Sequence, residues 1–275
     1  MNLSKAKLTY GWCTAAILAA TAASLPAVAN ANANVNTNAE FHFTGSARAF
    51  NSVDADGEIY REQHKVQGVC RGNQFKPQNH RIEYFDASAD APFAYKQLRY
   101  DRKEQPSLLR PEVEFVQPRF NERLTVGYDS GSVAIEWRSP AQELKEFRLD
   151  INNSLVVDSG FDNLVRQNWQ TVVEGGSVNF EFLAPTRGSY YGFVMEPADN
   201  SRDSARIRAD HLIQIRPTSL FLRLMVEPIL LGYNQQGALT HYSGLTNIRL
   251  NQQENIQADI VYNVTKYPPC PLLAP

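Results

Sequence analysis

Long apolar runs are missing from this sequence. Its most hydrophobic amino-terminal stretch, Ala15 to Leu25, falls well short of the ~20 residues a membrane-spanning helix needs. Basic clusters are missing too: 27 Lys and Arg are scattered against 29 Asp and Glu, for a net charge of -2. That excludes the electrostatic footprint of a nucleic-acid binder. Cysteine is scarce, with three in 275 residues and none at metal-ligand spacing. The five histidines, His42, His64, His80, His211 and His241, stand singly, with no H-x-H and no H-E-x-x-H, so a metal site would have to be assembled wholly by the fold. No cofactor is implied. There is no G-x-S-x-G elbow, no S-x-x-K and no glycine-rich phosphate loop opening a helix, so no catalytic residue can be named. DADGE, at Asp54 to Glu58, starts like a calcium loop but lacks the later ligands and the distant glutamate.

What is present begins with an export signal. Lys5 and Lys7 precede an alanine-rich run that ends in small residues, with cleavage options after Ala29, Ala31 or Ala33. This predicts a signal peptide over residues 1–33 and a periplasmic protein with no transmembrane segment once it is removed. Cys13 precedes the apolar run, where a lipid-attachment cysteine would follow it. The remaining pair, Cys70 and Cys270, is an even count in an oxidising compartment and predicts one disulfide. Loop closure on that scale contributes up to ~5 kcal/mol. Residues 1–33 carry two lysines and no acid, so the exported chain is more acidic than the whole.

Residues 34–40 are polar and asparagine-rich and are predicted to be a disordered leader. From Phe41 the period is two. FHFTGSARA, EIYREQHKV, HRIEYFDA, AYKQLRYD, RLTVGY, VAIEWRS, SVNFEFL, SYYGFVM, TNIRL and NIQADIVYNV are short, aromatic or β-branched, and bounded by turn residues. YDSGS at Tyr128 to Ser132 and DADGE carry the dipeptides that tight hairpins require. Pro106, Pro111 and Pro118 mark an internal seam near residues 104–120. The expected fold is mainly β: one domain over residues 41–275, an antiparallel curved sheet forming a half-barrel or barrel-like sandwich.

One stretch breaks the period. In VVDSGFDNLVRQNWQTVVEGG, Phe161, Leu164, Val165, Trp169, Val172 and Val173 fall on one helical stripe. Asp158 or Ser159 precedes it as an N-cap and Gly175-Gly176 follows as a C-cap. This predicts an amphipathic helix over about 160–174, packed on the sheet, with Asp162 and Arg166 on its exposed face. AQELKEF, Ala141 to Phe147, is a second, weaker helical candidate.

The strongest apolar signal of the exported chain is SLFLRLMVEPILLGY, Ser219 to Tyr233, read as strands apolar on both faces. Arg223 within it should then sit partly enclosed, with Glu196, Asp210 or Glu227 as an ion-pair partner, or at the floor of an apolar cavity holding an anionic head group. His211 shares the face of Ile213 and Ile215, where a histidine is more often a hydrogen-bonded core residue than a catalytic base. A cavity beneath the helix stripe would make Phe161, Leu164, Val165, Trp169, His211 and Arg223 its ligand-binding residues.

The segments VVDSGFDNLVRQNW, SVNFEFLAPTRG, LLGYNQQGALTHYSGLTNI and ADIVYNV, between Asn152 and Val264, resemble a group of exported proteobacterial proteins of uncharacterised function. The architecture is also similar to the half-barrel of periplasmic lipoprotein carriers, whose concave apolar sheet is lidded by helices. Neither resemblance implies catalytic residues, and fold does not fix function. Three readings follow. The first is a binding or carrier module for an apolar or amphipathic small molecule. The second is a structural or protein-interaction module of the cell envelope, which an exposed apolar patch or free edge strand would favour. The third is an envelope hydrolase, which needs a histidine and an acid within hydrogen-bond reach.

Overall fold

The structure, a computed structural model, describes residues 36–50, 57–100, 107–198, 207–224 and 226–274. The signal segment, most of the DADGE turn and the start of the seam at residues 104–106 lie outside the described residues.

Alternating sequence becomes alternating burial. In β1 (Thr37–Ala49), Phe41, Phe43 and Ala47 turn inward. In β2 (Glu58–Arg71) the inward residues include Tyr60, Glu62, His64 and Val66. The pattern continues through β3 (Gln74–Asp86), β4 (Pro92–Arg99), β5 (Glu112–Gln117), β6 (Glu122–Asp129), β7 (Ser132–Arg138) and β8 (Leu144–Asp150). A minimal β9 (Leu155–Val156) leads to α1 (Gly160–Gln167) and α2 (Trp169–Val173). The chain then returns to strand as β10 (Val178–Ala184), β11 (Ser189–Pro197) and β12 (His211–Pro217). After α3 (Leu220–Arg223) come β13 (Ile229–Tyr233), β14 (Leu239–Arg249) and β15 (Asn255–Lys266).

These strands form one sheet, ordered β8 to β1 and then β15 to β9. Nearly every neighbour in the sheet is therefore a neighbour in sequence, joined by a hairpin. At YDSGS, Ser130 (φ 47°) and Gly131 (φ 84°) both take positive φ, while Asp129 pairs with Ser132. That is the turn whose twist matches the strands. The long-range joint is β1 with β15, antiparallel from His42 opposite Lys266 to Ala49 opposite Ala258. Only β9 with β10 is parallel among the described pairs. The sheet is large, curved and unclosed, with β8 and β9 at its two edges. Tyr60 from β2, Val133 from β7, Leu155 from β9, Leu183 from β10 and Ile260 from β15 nevertheless meet in one buried cluster, so the sheet wraps a common interior.

Cys70, at the end of β2, is disulfide-bonded to Cys270, with Cα atoms 5.9 Å apart. The bond pins the tail after β15: Pro271 accepts a hydrogen bond from the Phe75 amide at 2.8 Å and Leu272 is buried.

Four local expectations are corrected. Thr37 to Glu40 are not a disordered leader: they pair with Cys70 to Gln67 and bury Ala39. AQELKEF is not helical, because β7 takes Leu144 to Asp150 as a strand partner, and tertiary pairing overrides helix propensity. Leu220 to Arg223 form helix α3 instead of a strand, and no described strand pairing includes them. The predicted helix over 160–174 is present but interrupted at Asn168, whose side-chain amide donates to the Leu164 carbonyl at 2.9 Å. Side-chain bonding to the carbonyl four residues back competes with the helix ladder.

Candidate functional site

Sheet parity sends ionisable side chains into the interior. On β2, Glu62 and His64 occupy the same alternate positions as Tyr60 and Val66, so they point where those core residues point. His80 on β3 and Lys96 on β4 do the same. All four are buried, and a buried charge or polar group must find partners.

Glu62 Oε2 accepts from the Tyr262 hydroxyl at 2.9 Å and lies 2.8 Å from His64 Nε2. A carboxylate only accepts, so His64 carries its proton on Nε2. Its Nδ1 then accepts from His80 Nε2, 3.0 Å away. The Phe43 ring stacks on His64 with centroids 4.2 Å apart. Burial above all, with the charges of Lys96 and Arg166 behind it, holds His80 well below the usual imidazole range, so it is neutral.

Beyond His80 is a small chamber of about 20 Å³, lined by His80, Tyr100, Asp162, Asn163, Arg166 and several apolar residues of β1 to β3. That is room for about one water. Here Arg166 departs from its predicted exposed position. It is 9% exposed, bonds Asp162 at 2.8 Å and donates from Nε to the Gly237 carbonyl at 2.8 Å. Tyr233 donates to Asp162 at 3.1 Å. Burial raises the Asp162 pKa although Arg166 pulls it down.

Asp158 does not cap the helix as expected, nor does the Ser159 side chain. Asp158 sits at φ 47° and its Oδ2 accepts from the buried Lys96 Nζ at 2.8 Å, while Oδ1 accepts from the Ser159 amide at 2.8 Å. A third group ties β14 to the opposite part of the sheet. Glu122 takes Arg249 Nε and Gln117 Nε2, each at 2.8 Å, on one oxygen and Trp137 Nε1 at 2.8 Å on the other.

Five of the six residues expected to line a ligand cavity do come together. Leu164 and Val165 are buried with Phe180, Met195, Ile213 and Leu231, and Phe161 and Trp169 pack against that cluster. Trp169 meets His211 edge-on at 5.0 Å and Tyr233 at 5.9 Å. What the stripe covers is packed side chains, and neither the chamber nor the groove described next is lined by it. Arg223 is apart from this group. It is exposed on α3 and donates to the Pro217 carbonyl at 2.8 Å, whereas Glu196, one of its three expected partners, bonds Arg216 at 2.9 Å, and Asp210, another, accepts from the Gln235 amide at 3.0 Å.

Two surface features went unread in the sequence. An open trough of about 690 Å³ runs over the outer face of β5 to β8, with Glu114, Arg123, Glu136 and Arg148 in its walls and Gly127 beside Ala134 in its floor. Its charges alternate in sign. On α3, Leu220 is 77% exposed and Phe221 68%, and Leu224, which caps the helix, is 87% exposed. The apolar signal there was legible; its lack of cover was not.

No family model and no curated protein matches the chain. Among solved structures it is similar to the crystal structure of a beta-barrel-like protein of domain of unknown function DUF1849 from Brucella abortus, at 10% identity and a TM-score of 0.37, over 84% of this chain and 96% of that one. No residue role is carried over from so distant a likeness.

Proposed function

We propose that the chain is an exported protein-interaction module of the cell envelope that engages a protein partner through α3. The observation that carries this reading is the exposure of Leu220, Phe221 and Leu224, close together in one helical turn and its cap. Isolated exposed leucines are ordinary, but an apolar knot rimmed by polar groups is what a partner surface buries. Its rim is Thr218, Ser219, Arg223 and Glu227, all exposed and of mixed charge, which suits the polar border of a protein interface. A lipid-seeking turn would gather several basic residues, whereas Arg223 in this rim is balanced by Glu227.

The packed helix stripe weighs against a carrier of small apolar ligands. A hydrolase needs substrate access, whereas Glu62, His64 and His80 are all buried and the chamber that His80 lines is about 20 Å³. The test is site-specific photocrosslinking in the native envelope, with the probe at Phe221 and, as a control, at exposed Gln253. A discrete protein adduct from position 221, absent from 253 and lost in Leu224→Asp, is the expected result. A lipid adduct at 221, or the same adducts from both positions, overturns the reading.

A further inference from the structure

The two edges of the sheet differ. β9 is two residues long, whereas β8 presents seven, and β7 is its only sheet neighbour among the described residues. Hydrogen bonds at either end of the β7–β8 ladder set its phase: Ser139 N to Glu143 O at 2.9 Å and Ile151 N to Gly131 O at 3.1 Å. In an antiparallel ladder the bonded residues alternate. The odd-numbered residues of β8 therefore bond β7, and Leu144, Glu146, Arg148 and Asp150 turn their N–H and C=O groups to the free edge.

We propose that two copies of this chain pair through β8, antiparallel about a two-fold axis at Phe147. In this register Glu146 faces the partner's Arg148 and Leu144 faces the partner's Asp150, so the residues with free backbone groups face one another. The axis repeats the Glu–Arg contact, giving two opposite-charge pairs on one face. Centring the pairing on Glu146 or on Arg148 instead sets like charges directly opposite, which is destabilising. Edge strands are commonly guarded by charge. A guard of one sign repels a second copy, but here Lys145, Glu146, Arg148 and Asp150 are all exposed and of both signs, and the edge is complementary to itself. Phe147, half-buried and on the inward face, needs no rearrangement. Isologous pairing of this kind closes as a dimer and does not propagate. The trough reaches Glu146 and Arg148, so it runs on across the axis into that of the second copy. This interface is separate from α3 and does not depend on it.

Sedimentation equilibrium of the purified chain tests the proposal, with near-ultraviolet circular dichroism as the check on folding. The wild type is expected to dimerise. Arg148→Glu, which makes both cross-axis pairs repulsive, should weaken the dimer by about ten-fold or more, since each 1.4 kcal/mol is a factor of ten. Glu146→Arg combined with Arg148→Glu restores the pairs with their signs exchanged and should restore the dimer, while Phe221→Ser should leave it unchanged. A wild type that stays monomeric, an Arg148→Glu variant that dimerises as well as the wild type, an exchanged pair that fails to recover, or a dimer abolished by Phe221→Ser would each overturn it.

Discussion

His64 Nδ1 and His80 Nε2 are 3.0 Å apart in the interior of the sheet, and one proton joins them. A proton on each facing nitrogen would set two N–H groups against one another, so the pair tolerates one charge at most. The positive groups around His80 are Lys96 from β4 and Arg166 from α1.

Stability should therefore fall in mild acid. His80 in the folded chain resists protonation, while in the unfolded chain it takes a proton near 6.5. The unfolded state binds more protons below about 6.5, so this contribution is full above that pH and is lost as pH falls toward the folded-state value. His241, also lowered by burial, acts in the same direction. Asp162 has the opposite sign. Its raised pKa costs stability at neutral pH, and the cost is relieved as pH drops through that pKa toward 3.8. Urea unfolding at a series of pH values should show stability decreasing below 6.5, and His80→Gln should flatten the slope more than His241→Gln. An unchanged slope in His80→Gln would refute the assignment.

Among the described residues Lys96 and Asp158 form the most enclosed of the lysine ion pairs, with side chains 5% and 12% exposed. Removing one partner leaves the other charge stranded, at about 3–5 kcal/mol. Lys96→Met is expected to fall in that range, with part recovered in Lys96→Met combined with Asp158→Asn, because asparagine tolerates φ 47° and still accepts from Ser159. A double-mutant cycle on denaturant midpoints measures the coupling. Strict additivity of the two changes would show that the pair is not coupled.

Replacing Cys70 and Cys270 together by serine opens a loop spanning 200 positions. The loss should be about 2–5 kcal/mol, with hydrogen exchange rising first at the Phe75 amide, which is held by Pro271 of the pinned tail. Unaltered protection there would mean that the tail is held by Leu272 packing alone.

The strands were legible because burial on one face of a sheet writes itself as period two. Two segments misled for one reason, that a short window carries no record of its pairing: Ala141 to Phe147 has helix-forming residues, but Leu144 to Phe147 pair with β7, and Leu220 to Arg223 has strand-like residues but enters no described strand pairing. The interior network had a partial signal. Glu62 and His64 share the parity of Tyr60 and Val66, which marks them as inward, yet the partner of His64, His80, comes from another strand, and Lys96 and Arg166, whose charges act on His80, come from two further elements. Arg166 was assigned to solvent because helical phasing separates it from the Leu164 stripe. The helix is enclosed on that side too, by the turn carrying Gly237.

Gly188 and Gly127 separate two reasons for a glycine. Gly188 ends a 3-10 turn at φ 56°, and an added Cβ would lie 2.1 Å from the Phe147 ring. It is where the β10–β11 turn presses on the inward face of β8, so Gly188→Ala meets both a left-handed backbone and a ring that would have to move. A loss of about 2 kcal/mol or more is expected from strain and overpacking together. Gly127, on the floor of the trough, has nothing within 4 Å of an added Cβ, and Gly127→Ala should change stability by no more than about 0.5 kcal/mol. Thermal unfolding of the two variants side by side decides it. Equal losses would mean that neither the Phe147 ring nor the left-handed backbone at Gly188 resists the added methyl.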